Sequence, residues 1–288
     1  MTVTSQRHSV LLDNVFALIE KKVDAQQKSL VQQFGRLLYK NISSDDLEDR
    51  NDSDLYGATL SLWNGLAKFD NSAPYIRVFN PEIEKHGWHS SHTIVEIIVR
   101  DMPFLVDSVR MSLNRLNITA HLFLHSPIRI KRNDKNQVVE FAEPGKAVEN
   151  TRKETVIFIE VDHQSAKKDI DELTKELHSV VDEVSLAVKD WQEMTTKLET
   201  VVKDSTKLNW PGSADEKKQT KAYLQWLSDH NFTMMGYRYY EVKAIEGDHR
   251  WIPSNDTSLG LLKNSINDRE RLLSKLPASA RAEALSQS

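Results

Sequence analysis

Apolar residues first recur at helical spacing in two successive groups. Val10, Leu11, Val15, Leu18 and Ile19 share one face, and Leu30, Val31, Phe34, Leu37 and Leu38 renew it. The pattern predicts helix over about residues 8–40. A break is expected where Asp24 to Lys28 turns polar, apart from Ala25. Ser43-Ser44-Asp45-Asp46 is an N-cap cluster for a short helix. Leu55, Ala58, Leu62, Leu66 and Phe69 then mark a helix over Asp54 to Phe69, which Asn71 to Pro74 closes.

The period next changes from helical to extended. Tyr75 to Asn80 is a short strand, and His86 to His92 is a loop. Thr93 to Val99 is mostly apolar and β-branched, which suits a buried central strand. Pro103 opens a helix reaching about Asn117, with Leu105, Val109, Leu113 and Leu116 on its buried stripe. Ile118 to Lys131 alternates, and Arg132 to Asn136 is a polar turn. Gln137 to Phe141 returns as a hairpin arm. Glu154 to Asp162 is a second buried strand, and Ser165 opens a helix reaching about Lys203.

This order predicts an α+β fold: N-terminal helices, then a ferredoxin-like βαββαβ module with a long helix. Its final strand has no candidate in the sequence. The expected domains are a helical region over 1–72, an α+β domain over 73–203, a linker over 204–218 and a second module over 219–288. The second module opens with a helix over Gln219 to Asp229 and a strand over Phe232 to Val242. No further strand is expected after Gly260. A module opened but not closed predicts a piece of a larger protein.

Composition narrows the function. The chain has 288 residues, 39% hydrophobic and 28% charged, so it can bury cores within a solvated surface. Lys+Arg 38 against Asp+Glu 42 gives net charge −4, which makes no electrostatic case for nucleic acid or an anionic membrane. No apolar run is long enough to span a bilayer, and a cytoplasmic protein is expected. The absence of cysteine excludes disulfides, thiolate zinc sites and thiol nucleophiles.

Candidate chemistry is sparse. Nine glycines include no G-x-G-x-x-G after a strand. The turn Asp101-Met102-Pro103 lies between a buried strand and a helix N-terminus, a seat for a small anionic ligand or a partner's strand edge. Asp101, Met102, Pro103, Phe104, Asp107 and Ser108 are the candidate ligand-binding residues. The plainer expectation is that Asp101 caps the helix and Asp107 complements its dipole. His86, His89 and His92 are read as a solvated loop, not as metal ligands. His121 and His125 share a strand face and are open to pH sensing or a subunit contact. Arg129, Lys131, Arg132 and Lys135 form a basic hairpin tip. Trp226, Phe232, Tyr237, Tyr239 and Tyr240 are read as the start of a core. No catalytic residue is picked out, and no metal site.

Asp101-Met-Pro-Phe-Leu-Val-Asp-Ser-Val109, Val188-Lys-Asp-Trp191 with Met194, Leu224 to Tyr239 and Leu259-Gly-Leu-Leu262 occur in that order. Together they resemble the N-terminal region of the large bacterial NAD-specific glutamate dehydrogenases, from about Val10 to Leu262. The resemblance implies ACT-like modules, βαββαβ units associated with amino-acid sensing and subunit contacts. It implies a parent enzyme that oxidises L-glutamate with NAD to 2-oxoglutarate, ammonia and NADH, its catalytic domain lying downstream. No cofactor is expected in this segment, and the segment alone should be inactive. Its expected partners are the rest of that enzyme, other subunits of a homo-oligomer and an amino-acid effector. Ligand-binding ACT modules carry glycine just after the proline of the turn; here Phe104 stands there. That departure favours a purely structural role, an oligomerisation arm built on the helix from Val10 to Lys40.

Overall fold

A computed structural model describes residues 3–43, 45–47, 50–142, 149–205, 207, 213–245, 248–264, 271–275 and 277–278. They fall into two units, Met1–Val181 and Asp182–Ser288.

The first unit opens with α1 (Val3–Lys22) and α2 (Ala25–Leu38), separated at the polar break the sequence predicts. Ser43 Oγ accepts the Asp46 N–H at 3.1 Å and starts the 3-10 turn Asp45–Leu47. Helix α3 (Asp52–Lys68) is capped by Asn51, whose side chain accepts the Asp54 N–H. Strand β1 (Tyr75–Phe79) and a single helical turn, α4 (Ile83–His86), follow. The βαββα run is then β2 (Thr93–Arg100), α5 (Leu105–Arg115), β3 (Ala120–Arg132), β4 (Val138–Phe141), β5 (Thr151–Val161) and α6 (Lys167–Ser205).

The sheet order is β1-β2-β5-β3-β4, with every neighbouring pair antiparallel. The edge beside β2, which a strand after α6 would fill, is taken by β1. The missing final strand therefore lies ahead of the module in sequence. A strand at that edge satisfies the outer hydrogen-bonding groups of β2 from whichever end of the chain it comes.

Period-two alternation divides β2 and β5 between two cores. Val95, Ile97, Val99, Ile157, Ile159 and Val161 meet α5 through Leu105, Val109 and Leu113, and α6 through Leu173, Leu177 and Val181. Ile94, Ile98, Val156 and Phe158 meet α1, α2 and α3 through Val15, Ile19, Phe34, Leu38, Leu62 and Leu66. The sheet is thus sandwiched between helices, which is why its central strands read as nearly continuous apolar runs.

Three glutamates interrupt the face beneath the N-terminal helices: Glu96, Glu154 and Glu160, at 0%, 0% and 8% exposure. Each meets an arginine tied to α3 or its N-terminal approach. Arg77 lies 3.7 Å from Glu96 and donates to Ser61 on α3. Arg132 pairs with Glu154 at 2.7 Å and donates to the Leu66 carbonyl at 2.9 Å. Arg50, next to the cap residue Asn51, pairs with Glu160. Helix α3 is therefore clamped near its start, middle and end. Arg132 was expected at a solvated hairpin tip; it is instead 4% exposed at the side chain. Only burial of its carboxylate partner on β5 reveals that role.

Glu96 is the least satisfied of the three, since its Oε1 has no hydrogen-bond partner. Burial raises its pKa above the ordinary 4.5, and the Ser61 hydroxyl, Arg77 and the Tyr75 hydroxyl only partly oppose this. A carboxyl raised in the folded state favours folding fully below its unfolded pKa. That contribution is lost as pH rises through the folded pKa. Glu96→Gln should therefore gain stability over the native chain as pH rises from acidic to neutral. Urea unfolding of both proteins across acidic to neutral pH measures this; a constant difference would contradict it.

In the second unit, Ser213 and Glu216 form a capping box at the start of α7 (Ala214–Trp226). A π-helical turn, Leu227–Asn231, ends it. Strands β6 (Gly236–Ile245), β7 (Asp248–Gly260) and β8 (Arg271–Leu272) form an antiparallel sheet. Strand β8 is a short addition beyond Gly260, where none was expected. The C-terminal half of α6 meets this sheet through Asp190, which accepts from the Gly260 N–H and from Lys263 Nζ. The aromatic group does not form a core: Trp226, Phe232, Tyr239 and Tyr240 are all exposed. Of the expected linker over 204–218, residues 206 and 208–212 lie outside the described set; 204–205 end α6, and 213–218 cap and begin α7.

Candidate functional site

Two places carry candidate chemistry, at opposite ends of β2. The first is the turn at its C-terminal end. Helix α5 begins at Leu105, two residues beyond Pro103. Its N-cap position belongs to Phe104, which makes no side-chain capping bond. The capping role expected for Asp101 is therefore corrected. The Asp101 N–H donates to the Lys153 carbonyl at 3.1 Å, and its Oδ1 accepts the Thr155 hydroxyl at 2.7 Å. Both bonds tie the turn to β5. Asp107 does lie in the first helical turn, where its charge favours the helix dipole. The Ser108 N–H closes that turn onto the Phe104 carbonyl, Met102 packs on the core, and Pro103 is exposed.

Phe104 has φ +67° and a 53% exposed side chain. A left-handed conformation costs a residue with a Cβ about 1–2 kcal/mol, and glycine adopts it freely. Phe104→Gly should therefore stabilise the first unit by about 1 kcal/mol, little burial being lost. A thermal or urea midpoint that falls on this substitution would contradict the reading.

The second place is a cleft of about 430 Å³ at the N-terminal end of β2. Its floor is Leu55, Ala58 and Trp88, and its walls carry Arg50, Asp54, His89, His92, His121 and Glu160. Trp88 lies so close to α3 that a Cβ on Gly57 would sit 2.3 Å from its ring. Glycine at that position is what admits the indole. The His92 and His121 rings face each other with centroids 4.5 Å apart. His92 Nδ1 lies 3.6 Å from Glu160, and His121 Nε2 lies 2.7 Å from Asp162. Asp162 is held below the usual carboxylate range by the Thr119 N–H and then by His121.

The sequence reading missed this constellation. It grouped His92 with His86 and His89 by spacing, but the three diverge. His86 packs tilted against the Phe79 ring, while the His89 backbone N–H bonds Asp54. The register holds the missing signal. Thr93 and Ala120 both pair with Val161, so the strand order β2-β5-β3 brings His92, His121 and Glu160 to one end of the sheet. His125 is placed at the other end, where burial lowers its pKa and Asp101 opposes that shift. Among the described residues no His, Asp or Glu group is arranged to hold a metal ion.

The family model described as "Glutamate dehydrogenase, ACT1 domain" matches residues 34–177, half of the chain. The chain belongs to this family. It is 35% identical to the NAD-specific glutamate dehydrogenase of Halomonas elongata over 269 residues, 92% of this chain and 17% of that protein. It is also 35% identical to that of Pseudomonas aeruginosa over 230 residues, 80% of this chain and 14% of that protein. The chain thus spans about a sixth of the length of these relatives. The ACT1 match begins at Phe34 inside α2 and takes in α3, so the N-terminal helical layer belongs in part to the domain.

The described residues of the ACT1 unit do not suit a nicotinamide dinucleotide. Such a ligand uses a parallel strand–turn–helix with close glycine backbone at the helix start. Here the sheet is antiparallel, and the helix following β2 is opened by Phe104. No helix among the described residues is long and apolar enough to cross a membrane.

Proposed function

We propose that this chain serves as a non-catalytic regulatory and assembly segment of a large NAD-dependent glutamate dehydrogenase. The parent reaction is the oxidation of L-glutamate with NAD to 2-oxoglutarate, ammonia and NADH. The match of residues 34–177 to the ACT1 domain carries this reading. The antiparallel, doubly covered sheet supports it, since that sheet lacks the turn a dinucleotide needs. In this reading NAD is bound by the rest of the enzyme, and the segment works in the cytoplasm through other parts and copies of that enzyme. Supplied with glutamate and NAD, the isolated chain should form no NADH. Steady NADH formation would overturn the reading.

The left-handed backbone at Phe104 favours a second reading, in which the turn takes an amino-acid effector. Strained backbone concentrates at ligand-binding turns. Asp101, Met102, Pro103, Phe104, Asp107 and Ser108 would form that site. A thermal-shift series over the common amino acids tests it. A rise of several degrees with one of them, lost in Asp101→Ala with Pro103→Ala, supports it; no rise with any leaves assembly as the role.

A further inference from the structure

The cleft at the start of β2 combines features that the assembly role does not use. Glu160 is shared: the Arg50 guanidinium pairs with it, with Nε at 3.4 Å from Oε1, and His92 Nδ1 approaches Oε2 at 3.6 Å. Arg50 also donates to the Asp46 carbonyl. It thus joins the approach to α3 to the end of β5. The charged and titratable groups lining the cleft come from both of its sides. Arg50 and Asp54 come from the α3 side, His89 and His92 from the loop before β2, His121 from β3 and Glu160 from β5. Asp162, just past β5, backs His121.

We propose that the His92–His121 pair is a proton-operated latch on this cleft. With His92 neutral, Glu160 belongs to Arg50, and the N-terminal end of α3 is held to the sheet. With His92 protonated, a second cation competes for Glu160, and positive charge is set against both Arg50 and His121. The imidazolium thus draws Glu160 from Arg50, and the loop from His89 to His92 separates from the α3 side. The step moves one proton from solvent to His92 and breaks no covalent bond.

Rings 4.5 Å apart repel when both are charged, so a proton on one imidazole opposes a proton on the other. Burial holds His92 below the ordinary 6.5, His121 and Arg50 push it the same way, and Glu160 opposes them. A histidine lowered by folding binds its proton more weakly in the folded state. Its contribution to stability is complete above the unfolded pKa and is lost as pH falls from that value towards the folded one. Acidification therefore works against the closed cleft.

The test is a histidine-selective NMR titration of the whole chain from about pH 8 to about pH 5, with backbone amides followed in parallel. Native protein, His121→Gln and His92→Gln are compared. His92 should titrate below a free histidine, and its midpoint should move up in His121→Gln, where the neighbouring ring no longer opposes its charge. The amides of Asn51 and of Ser90 to Thr93 should shift with the His92 midpoint, and that step should vanish in His92→Gln. An unchanged His92 midpoint in His121→Gln, or an amide step that survives in His92→Gln, overturns the latch. Should His121→Gln fail to fold, the His92→Gln comparison decides alone. Neither outcome depends on catalysis by a parent enzyme, so the latch and the assembly role fail separately.

Discussion

Glu154→Ala should unfold the first unit more readily by about 3–5 kcal/mol, because it strands a buried positive charge. The Arg132 side chain is 4% exposed, and Glu154 is fully buried. Arg132 Nε and Nη2 reach the two carboxylate oxygens at 3.0 and 2.7 Å, and Arg152 pairs with the same carboxylate. Removing the carboxylate leaves Arg132 with the Leu66 and Asn136 carbonyls alone. Those neutral dipoles do not replace a charge in a low-dielectric site. At this size the loss corresponds to a fall of roughly 10 °C in melting temperature. Circular dichroism melts measure it, and a fall of only a degree or two would show that water reaches the pair. Arg152→Ala should cost far less, its side chain being 31% exposed.

Phe34→Ala should cost a similar 3–5 kcal/mol, as truncation of a fully buried aromatic ring does. Phe34 is 0% exposed and packs near Trp63 and Phe141, with ring centroids 6.0 and 6.3 Å away. This bears on the idea of an oligomerisation arm. An arm built on the helix from Val10 to Lys40 would turn Phe34 and Leu38 towards another subunit, yet both belong to the core between α1, α2, α3 and the sheet. A polar substitution there unfolds the unit and does not merely separate subunits. Urea unfolding with light scattering on the same samples distinguishes the two. The expected result is a lower midpoint at unchanged folded mass. Loss of a dimer without loss of stability would restore the arm.

How much was legible follows the range of the interactions. Periodicity located α3, β2 and α6 within a few residues, because each buries a continuous stripe or run. The break near Asp24 and the cap at Ser43 are local, and they too were readable. The last strand of the module was not, since pairing decides it and its occupant, β1, lies ahead of β2 in the chain. The polar pairs were equally hidden. Arg50 and Glu160 are 110 residues apart, and nothing near either residue marks the other. Asp101 misled for the opposite reason. A helix-start aspartate is a good local signal, but Thr155 on β5 competes for it and Phe104 takes the capping position.

The central claim, that this segment regulates and assembles an enzyme whose chemistry lies elsewhere, is tested most directly on that enzyme with residues 1–288 removed. Glutamate-dependent NADH formation and solution mass would be measured on the intact and shortened proteins side by side. The account predicts that NADH formation persists in the shortened protein while its assembly state or its response to effectors changes. A shortened enzyme that assembles and responds as the intact one does, or that loses turnover although folded and fully assembled, would contradict it.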